Sequence, residues 1–299
     1  MSTLLLHFED ERASAERLAV ACALNSACIE RHRFPDDELR LRLPLPEGGQ
    51  MAERLVIYRS LARPNDKLVE LMLTVRQARE LGAQQVWLVA PYLAYMRQDI
   101  AFHPGEVVSQ RVVGRFLADL FDGVITVDPH LHRINSLDEA IPLPHAISLS
   151  GAPMLAQLIA RHHQRPLLIG PDAESAQWIE VAARAQGFDH GVCTKVRHGD
   201  KHVQIQLPAV SVAGRAVVIL DDVASSGRTL AEAARLLLAA GAESVDVAVT
   251  HALFAGDALD VIRAAGVRQV WSTDCITHDS NAIEMAPLLA EALRPLLQA

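Results

Sequence analysis

The sequence predicts an α/β fold in which mostly parallel sheets are flanked by helices. Three observations lead there. Short apolar runs rich in Val, Ile and Leu recur along the chain, each closing on polar or turn residues. Longer amphipathic stretches fall between them, and strand and helix in alternation build parallel sheets with helices on both faces. The segments that follow the runs are polar and ionisable, as expected at the ligand-binding edge of such a sheet.

Taken in order, strands are expected at 55–58, 86–90, 124–127, 167–169, 216–220, 245–249 and 267–271. A helix over 65–81 sets Leu68, Leu71, Met72 and Val75 on one face and stops at Gly82. A second, over 230–240, stops at Gly241; glycine is a natural C-cap. The stretch 41–50, with Pro44, Pro46, Gly48 and Gly49, reads as a loop. Pro142, Pro144 and Gly151 interrupt the pattern and put a domain boundary within 141–151. No short internal repeat is visible. The informative segments lie beyond the carboxyl ends of the strands, at 90–99, 128–133, 170–175 and 221–229.

A chain of 299 residues suits two domains, and its 50% hydrophobic content supplies sizeable cores. Lys plus Arg is 28 and Asp plus Glu is 36, a formal charge of −8 that argues against nucleic acid as a partner. An anionic ligand must then be held by local Arg, Lys, backbone amides or a metal. Cys22, Cys28, Cys193 and Cys275 form no C-x-x-C pair, so neither a zinc site nor a disulfide framework is indicated. No apolar stretch approaches membrane-spanning length, and residues 1–10 lack the basic region of a signal peptide. A cytoplasmic protein with no membrane partner is expected.

The densest motif is Asp221-Asp222-Val223-Ala224-Ser225-Ser226-Gly227-Arg228-Thr229, between an expected strand and an expected helix. Its second half offers hydroxyls at Ser225, Ser226 and Thr229 and a glycine that permits close backbone approach. At a helix N-terminus, unpaired amides and the helix dipole favour a phosphate. Its two leading carboxylates suit two adjacent hydroxyls of a ribose ring. A plain capped loop needs one such residue, not this series.

Two acids followed by a small-hydroxyl-glycine-x-threonine run resemble the ribose-phosphate motif shared by type I phosphoribosyltransferases and ribose-phosphate pyrophosphokinases. Other segments resemble the pyrophosphokinases in particular, and together they span nearly the whole chain. Arg33-Phe34-Pro35-Asp36-Asp37-Glu38 looks like their adenine-binding segment, which implies ATP contacts from Phe34, Asp36, Asp37 and Glu38. Pro91-Tyr92-Leu93-Ala94-Tyr95-Met96-Arg97-Gln98-Asp99 resembles their Arg-Gln-Asp segment, with Arg97 and Gln98 on ATP. Asp128-Pro129-His130 resembles their Asp-x-His, which implies His130 as a Mg2+ ligand, with His132 a neighbour easily confused with it. Asp172, in Gly170-Pro171-Asp172-Ala173-Glu174-Ser175, matches the second metal-linked position; Glu174 departs from the small residues usual there. Lys195 and Arg197, in Cys193-Thr194-Lys195-Val196-Arg197, look like the catalytic lysine and a phosphate clamp, and alternation along a strand puts both on one side. Val270-Trp271-Ser272-Thr273-Asp274 and Ser280-Asn281 resemble the family's C-terminal region.

The resemblance implies two similar phosphoribosyltransferase-type domains. Residues 1–145 would form an N-terminal ATP-side domain, onto which a C-terminal helix near 285–299 packs back. Residues 146–284 would form the domain that binds ribose 5-phosphate through Arg197, Asp221, Asp222, Ser225, Ser226, Gly227, Arg228 and Thr229. It further implies a diphosphokinase that uses ATP and Mg2+ and assembles as a homo-oligomer, a dimer or a hexamer. A phosphoribosyltransferase would bind no ATP. A non-catalytic regulatory relative would have lost the lysine or metal positions. A diphosphokinase for another sugar phosphate is left open by Arg228, where the family usually has a small residue. The stretch 45–52 lacks the family's Asn-x-Arg regulatory segment, so strong control by phosphate or ADP is not expected.

Overall fold

The computed structural model describes residues 2–45, 49–198 and 202–298, with the backbone alone at 196–198 and 202–204. The chain divides into two compact units, Met1–Leu149 with Met285–Ala299, and Ser150–Glu284.

The first unit contains β1 (Thr3–His7), α1 (Arg12–Cys22), β2 (Asn25–Cys28), β3 (Glu30–Arg33), β4 (Leu39–Arg42), β5 (Arg54–Tyr58), α2 (Pro64–Glu80), β6 (Gln85–Val89), α3 (Ser109–Leu120), β7 (Gly123–Val127), α4 (Leu137–Ala140) and β8 (Ala146–Leu149). Its six-stranded sheet runs β2-β1-β5-β6-β7-β8, parallel at every pairing. β5 and β7 are buried along their whole length, which is why they read in the sequence as unbroken apolar runs. α2 begins at Pro64, whose fixed φ and missing N–H suit a first helical turn.

The second unit contains α5 (Ala152–His162), β9 (Leu167–Gly170), α6 (Ala176–Gln186), β10 (Asp189–Val192), β11 (Thr194–His198), β12 (His202–Gln206), β13 (Ala216–Ala224), α7 (Arg228–Ala239), β14 (Ser244–Ala252), α8 (Ala258–Ala264), β15 (Val270–Thr273) and β16 (Asn281–Ile283). Its six-stranded sheet runs β10-β9-β13-β14-β15-β16, again parallel throughout. Along β13, Val217 and Ile219 join the core on one face, while Val218 and Leu220 join the core on the other. The last helix, α9 (Ala286–Gln298), belongs to the first unit and packs on α1.

The two sheets share one topology. In each, the second strand in sequence pairs outside the first, and the remaining four follow in order on the other side. In each, an antiparallel hairpin (β3–β4, β11–β12) is inserted between the second and third strands of the sheet. The repeat is one of topology, which hydrophobic pattern alone does not show.

Three expected boundaries move by three residues or more, one of them the end of the strand expected at 245–249, which is β14 and runs on to Ala252. The strand expected at 267–271 is β15, from Val270 to Thr273. Arg268 and Gln269 precede it and bond the Asp246 carboxylate. The strand expected to end at 220 runs on to Ala224, because β14 pairs with it as far as Ala224 opposite Ala252. Asp221 and Asp222 are therefore strand residues. No helix among the described residues is long and apolar enough to cross a membrane.

Candidate functional site

Both sheets have a switch point, the crevice between the first strand and the third, where the chain changes direction across the sheet. Ligands of such sheets bind there, beyond the carboxyl ends of the strands. In the second unit the crevice lies between β9 and β13. Their register pairs Ile169 with Ile219, so the residues just past β9 stand beside Asp221. Gly170 has no room for a side chain: an added Cβ would fall 2.2 Å from Ser175 Oγ. That close approach folds the Pro171–Asp172 segment back, with Ser175 Oγ donating to the Asp172 carbonyl at 2.6 Å. Asp172 Oδ1 accepts from the Glu174 amide at 3.1 Å, and Oδ2 accepts from Lys195 Nζ at 2.6 Å. Lys195 reaches it from the hairpin strand β11.

Asp221 and Asp222 differ. Asp222 is buried, at 3% exposure, whereas Asp221 is half-buried. Burial, together with the facing charges of Asp222 and Asp172, pushes the Asp221 carboxyl well above the usual carboxylate range. Cys193, just before β11, is also buried. Its thiol is pushed up to about 11 by that burial and by the charge of Asp172.

The phosphate-type loop follows. Gly227 caps α7 with φ +70°, a conformation that favours glycine, and no side chain caps the helix's first amides. An added Cβ at Gly227 would meet the Ala258 carbonyl at 2.8 Å and Ile262 at 2.9 Å. From behind, the amides of Phe254 and Ala255 donate to the carbonyls of Ala224 and Ser225, at 2.9 and 3.0 Å. Ser225 and Thr229 are half-buried; Ser226 and Arg228 are exposed. The structure thus gathers Asp172, Lys195, Asp221, Asp222 and the 225–229 loop at one crevice. The Arg197 side chain lies outside the described residues.

The first unit carries the remaining predicted residues on separate segments. Phe34, Asp36, Asp37 and Glu38 form the turn of the β3–β4 hairpin, closed by the Phe34 amide on the Glu38 carbonyl at 2.9 Å. Asp37 takes φ +70°, and the Phe34 ring, 39% exposed, sits edge-on to His32. Arg97 is exposed and Gln98 half-buried. The Gln98 carbonyl accepts from the Gln110 amide at 3.2 Å, while Gln110 Nε2 donates to the Met96 carbonyl at 3.2 Å. His130 lies past β7, and its Nε2 meets the Nε2 of His132.

This unit's own switch point, between β1 and β5, is filled. Arg59, 1% exposed, donates from Nη1 to Asp10 at 2.9 Å, lies 3.1 Å from Glu11 and pairs with the fully buried Glu70. Its guanidinium lies 4.4 Å from the centre of the Phe8 ring. Lys67 also pairs with Glu11, at 3.1 Å.

Family models match both units: the N-terminal domain of ribose phosphate pyrophosphokinase over residues 3–120, and a phosphoribosyl transferase domain over 145–282. A ribose-phosphate pyrophosphokinase of Methanopyrus kandleri is 35% identical over 94% of this chain and 94% of its own. One from Methanosarcina acetivorans is 33% identical over 94% and 96%. The chain belongs to the ribose-phosphate pyrophosphokinase family. A crystal structure of phosphoribosylpyrophosphate synthetase from Mycobacterium smegmatis shares the fold, with a TM-score of 0.83 and 21% identity over 100% of this chain and 99% of that one.

Mg2+, which the family implies, takes oxygen donors. Asp172, Asp221 and Asp222 supply them; burial first, and then the charges of Asp222 and Asp172, hold the Asp221 carboxyl up, and a bound cation would offset the charge part. His130 and His132 supply only nitrogen and fit Mg2+ poorly. Asp99, quoted above in the Arg-Gln-Asp segment but given no role there, and Arg133, Phe254 and Ala255, which no motif singles out, brace the loops on the ligand side. Phe254 and Ala255 act through backbone amides, which leave no trace in residue type. Asp99 pairs with Arg133 at 2.5 Å across 34 positions, a separation that no local pattern spans.

Proposed function

We propose that this family member transfers the β,γ-diphosphate of ATP to O1 of ribose 5-phosphate, giving phosphoribosyl pyrophosphate and AMP. The observation that carries the reading is the crevice beside β13. It holds a carboxylate group, a lysine and an uncapped helix N-terminus within one loop's reach. Asp221 accepts from the ribose hydroxyls, backed by the buried Asp222. The amides and hydroxyls of 225–229 take the 5-phosphate. The 1-hydroxyl then attacks the β-phosphorus in line, AMP leaves, and the site's work is positioning and charge stabilisation. Lys195, with Arg197 two residues on, neutralises charge on the transferring group. Mg2+ held by Asp172, Asp221 and Asp222 would neutralise phosphate charge. Phe34, Asp36, Asp37 and Glu38 with Arg97 and Gln98 make up the ATP side, to which His130 also belongs.

The test is direct. Purified protein incubated with ATP, Mg2+ and ribose 5-phosphate forms AMP and phosphoribosyl pyrophosphate. Absence of both products with substrate binding intact overturns the reading and leaves a non-catalytic binder. Exposed Arg228 at the start of α7 adds a cation beside the phosphate loop. A bisphosphorylated pentose therefore belongs in the same assay as a second acceptor. The reading also carries a cytoplasmic location and a homo-oligomer, dimer or hexamer, which light scattering distinguishes.

A further inference from the structure

The β3–β4 hairpin makes a sheet of its own two strands, and β3 is exposed along its whole length. A two-stranded ribbon of this kind is at best marginally stable by itself. Its seat on the first unit therefore decides where its turn points. Leu41 packs on the apolar core. Arg33 pairs with Asp66 of α2 at 2.6 Å, but both partners are exposed, and water weakens such a contact.

Arg31 makes a different contact. Its Nη1 donates to Glu70 at 2.5 Å and its Nη2 to Asp10 at 3.4 Å. The buried Arg59 donates to the same two carboxylates. Four groups thus close a ring, in which each guanidinium touches both acids and each acid both guanidinia. They come from four segments: Asp10 after β1, Arg31 in β3, Arg59 after β5 and Glu70 in α2. Both guanidinia also lie near the Phe8 ring, at 5.7 and 4.4 Å from its centre. Glu70 is fully buried, so no water stands ready to replace an arginine that leaves it. Arg31 thereby ties the hairpin to the charges that fill the first unit's switch point.

We propose that this ring is the mount of the hairpin, and that Arg31 is a positioning residue for ATP. It fixes the turn from Phe34 to Glu38 relative to the segment that carries Arg97 and Gln98. That segment is seated on the same helix, the Tyr95 hydroxyl donating to Asn65 of α2, so α2 is a common base for both. A turn free to swing must be ordered as the ligand binds, and that ordering is drawn from affinity. The proposal rests on the reading of the turn as part of the ATP side.

Steady-state kinetics, calorimetric binding and amide hydrogen exchange are compared in wild type, Arg31→Ala, Arg31→Lys and Phe34→Ala. Arg31→Ala raises KM and Kd for ATP by about ten-fold, while kcat at saturating ATP and the affinity for ribose 5-phosphate stay within about two-fold. Amide exchange across 30–42 speeds by about ten-fold or more, with the central sheet unchanged. Arg31→Lys keeps a charge for Glu70 without the fork to Asp10 and recovers part of the ATP affinity. Phe34→Ala is the control for the underlying reading and weakens ATP binding. If it leaves ATP affinity unchanged, that reading falls and the proposal with it. If Phe34→Ala weakens ATP and Arg31→Ala does not, the reading stands and the mount is overturned. The mount is overturned as well if Arg31→Ala weakens ATP and ribose 5-phosphate alike, or leaves exchange across 30–42 as in wild type.

Discussion

Lys195 and Asp172 neutralise one another across 2.6 Å in a pair still partly open to solvent, with the lysine 42% exposed. An exposed pair of this kind adds little to stability, about 0–1 kcal/mol, so its value lies in holding the lysine at the crevice. Lys195→Ala is expected to lower kcat by about 10²–10³-fold, with ribose 5-phosphate affinity little changed, measured by steady-state kinetics beside calorimetric binding. Equal turnover removes Lys195 from its role. Asp221 makes the opposite kind of contribution. Because its folded carboxyl titrates above the ordinary range, the native state holds that proton more tightly than the unfolded chain does. Its contribution to stability therefore falls as pH rises from the usual carboxylate range through the raised value, and is least favourable above that value. Asp221→Asn is expected to raise Tm at pH 7 while abolishing turnover, and the gain in Tm shrinks as the pH is lowered. A Tm gain that does not change with pH rules out the electrostatic cause.

At the scale of the element, the strand-to-helix connection after β13 shows what a sequence gives away and what it conceals. Asp221, Asp222, Gly227 and Thr229 are legible because each does its work through a side chain, or through lacking one. Asp221 and Asp222 still read as loop residues, because strand pairing reaches Ala224 only through β14, a partner that local pattern cannot supply. The brace from Phe254 and Ala255 is made of backbone amides and stayed invisible for the same reason. Gly227 is the position where the loop's shape is most exposed to challenge. Gly227→Ala combines a left-handed backbone with a Cβ pressed on the Ala258 carbonyl, and is expected to cost about 1–3 kcal/mol. It also raises KM for ribose 5-phosphate more than KM for ATP. A KM for ribose 5-phosphate equal to wild type, in a variant of lowered Tm, separates loop stability from phosphate binding.

At the scale of the molecule, two units with one topology have put their switch points to different uses. In the second, carboxylates and an uncapped helix face the crevice; in the first, Arg59, Glu11 and Glu70 fill it with paired opposite charges. Burial pushes the Glu11 carboxyl up against the pull of Arg59 and Lys67. Such buried networks are costly to break one partner at a time. Calorimetry is expected to find about one ribose 5-phosphate per chain, since only one of two topologically equivalent crevices is open. Two equivalents of equal affinity contradict that assignment. The apolar runs gave away β5, β6 and β7 in the first sheet and β9, β13, β14 and β15 in the second, but not the interior strand β1. The partly exposed β2 and the short β3–β4 hairpin carry no apolar run because little of their surface is buried, so burial wrote no period into them.

The first unit is sewn shut by a helix that follows the second. Arg54, at the start of β5 and 5% exposed, bonds Gln85 at 2.7 Å and also the carbonyl of Leu297 in α9. On a ribosome the N-terminal half therefore emerges first and is completed last. It waits, one flank bare, while 150–284 is synthesised and folds as an insertion within it. The order of completion is the reverse of the order of synthesis: the first unit made is the last to gain all its own segments.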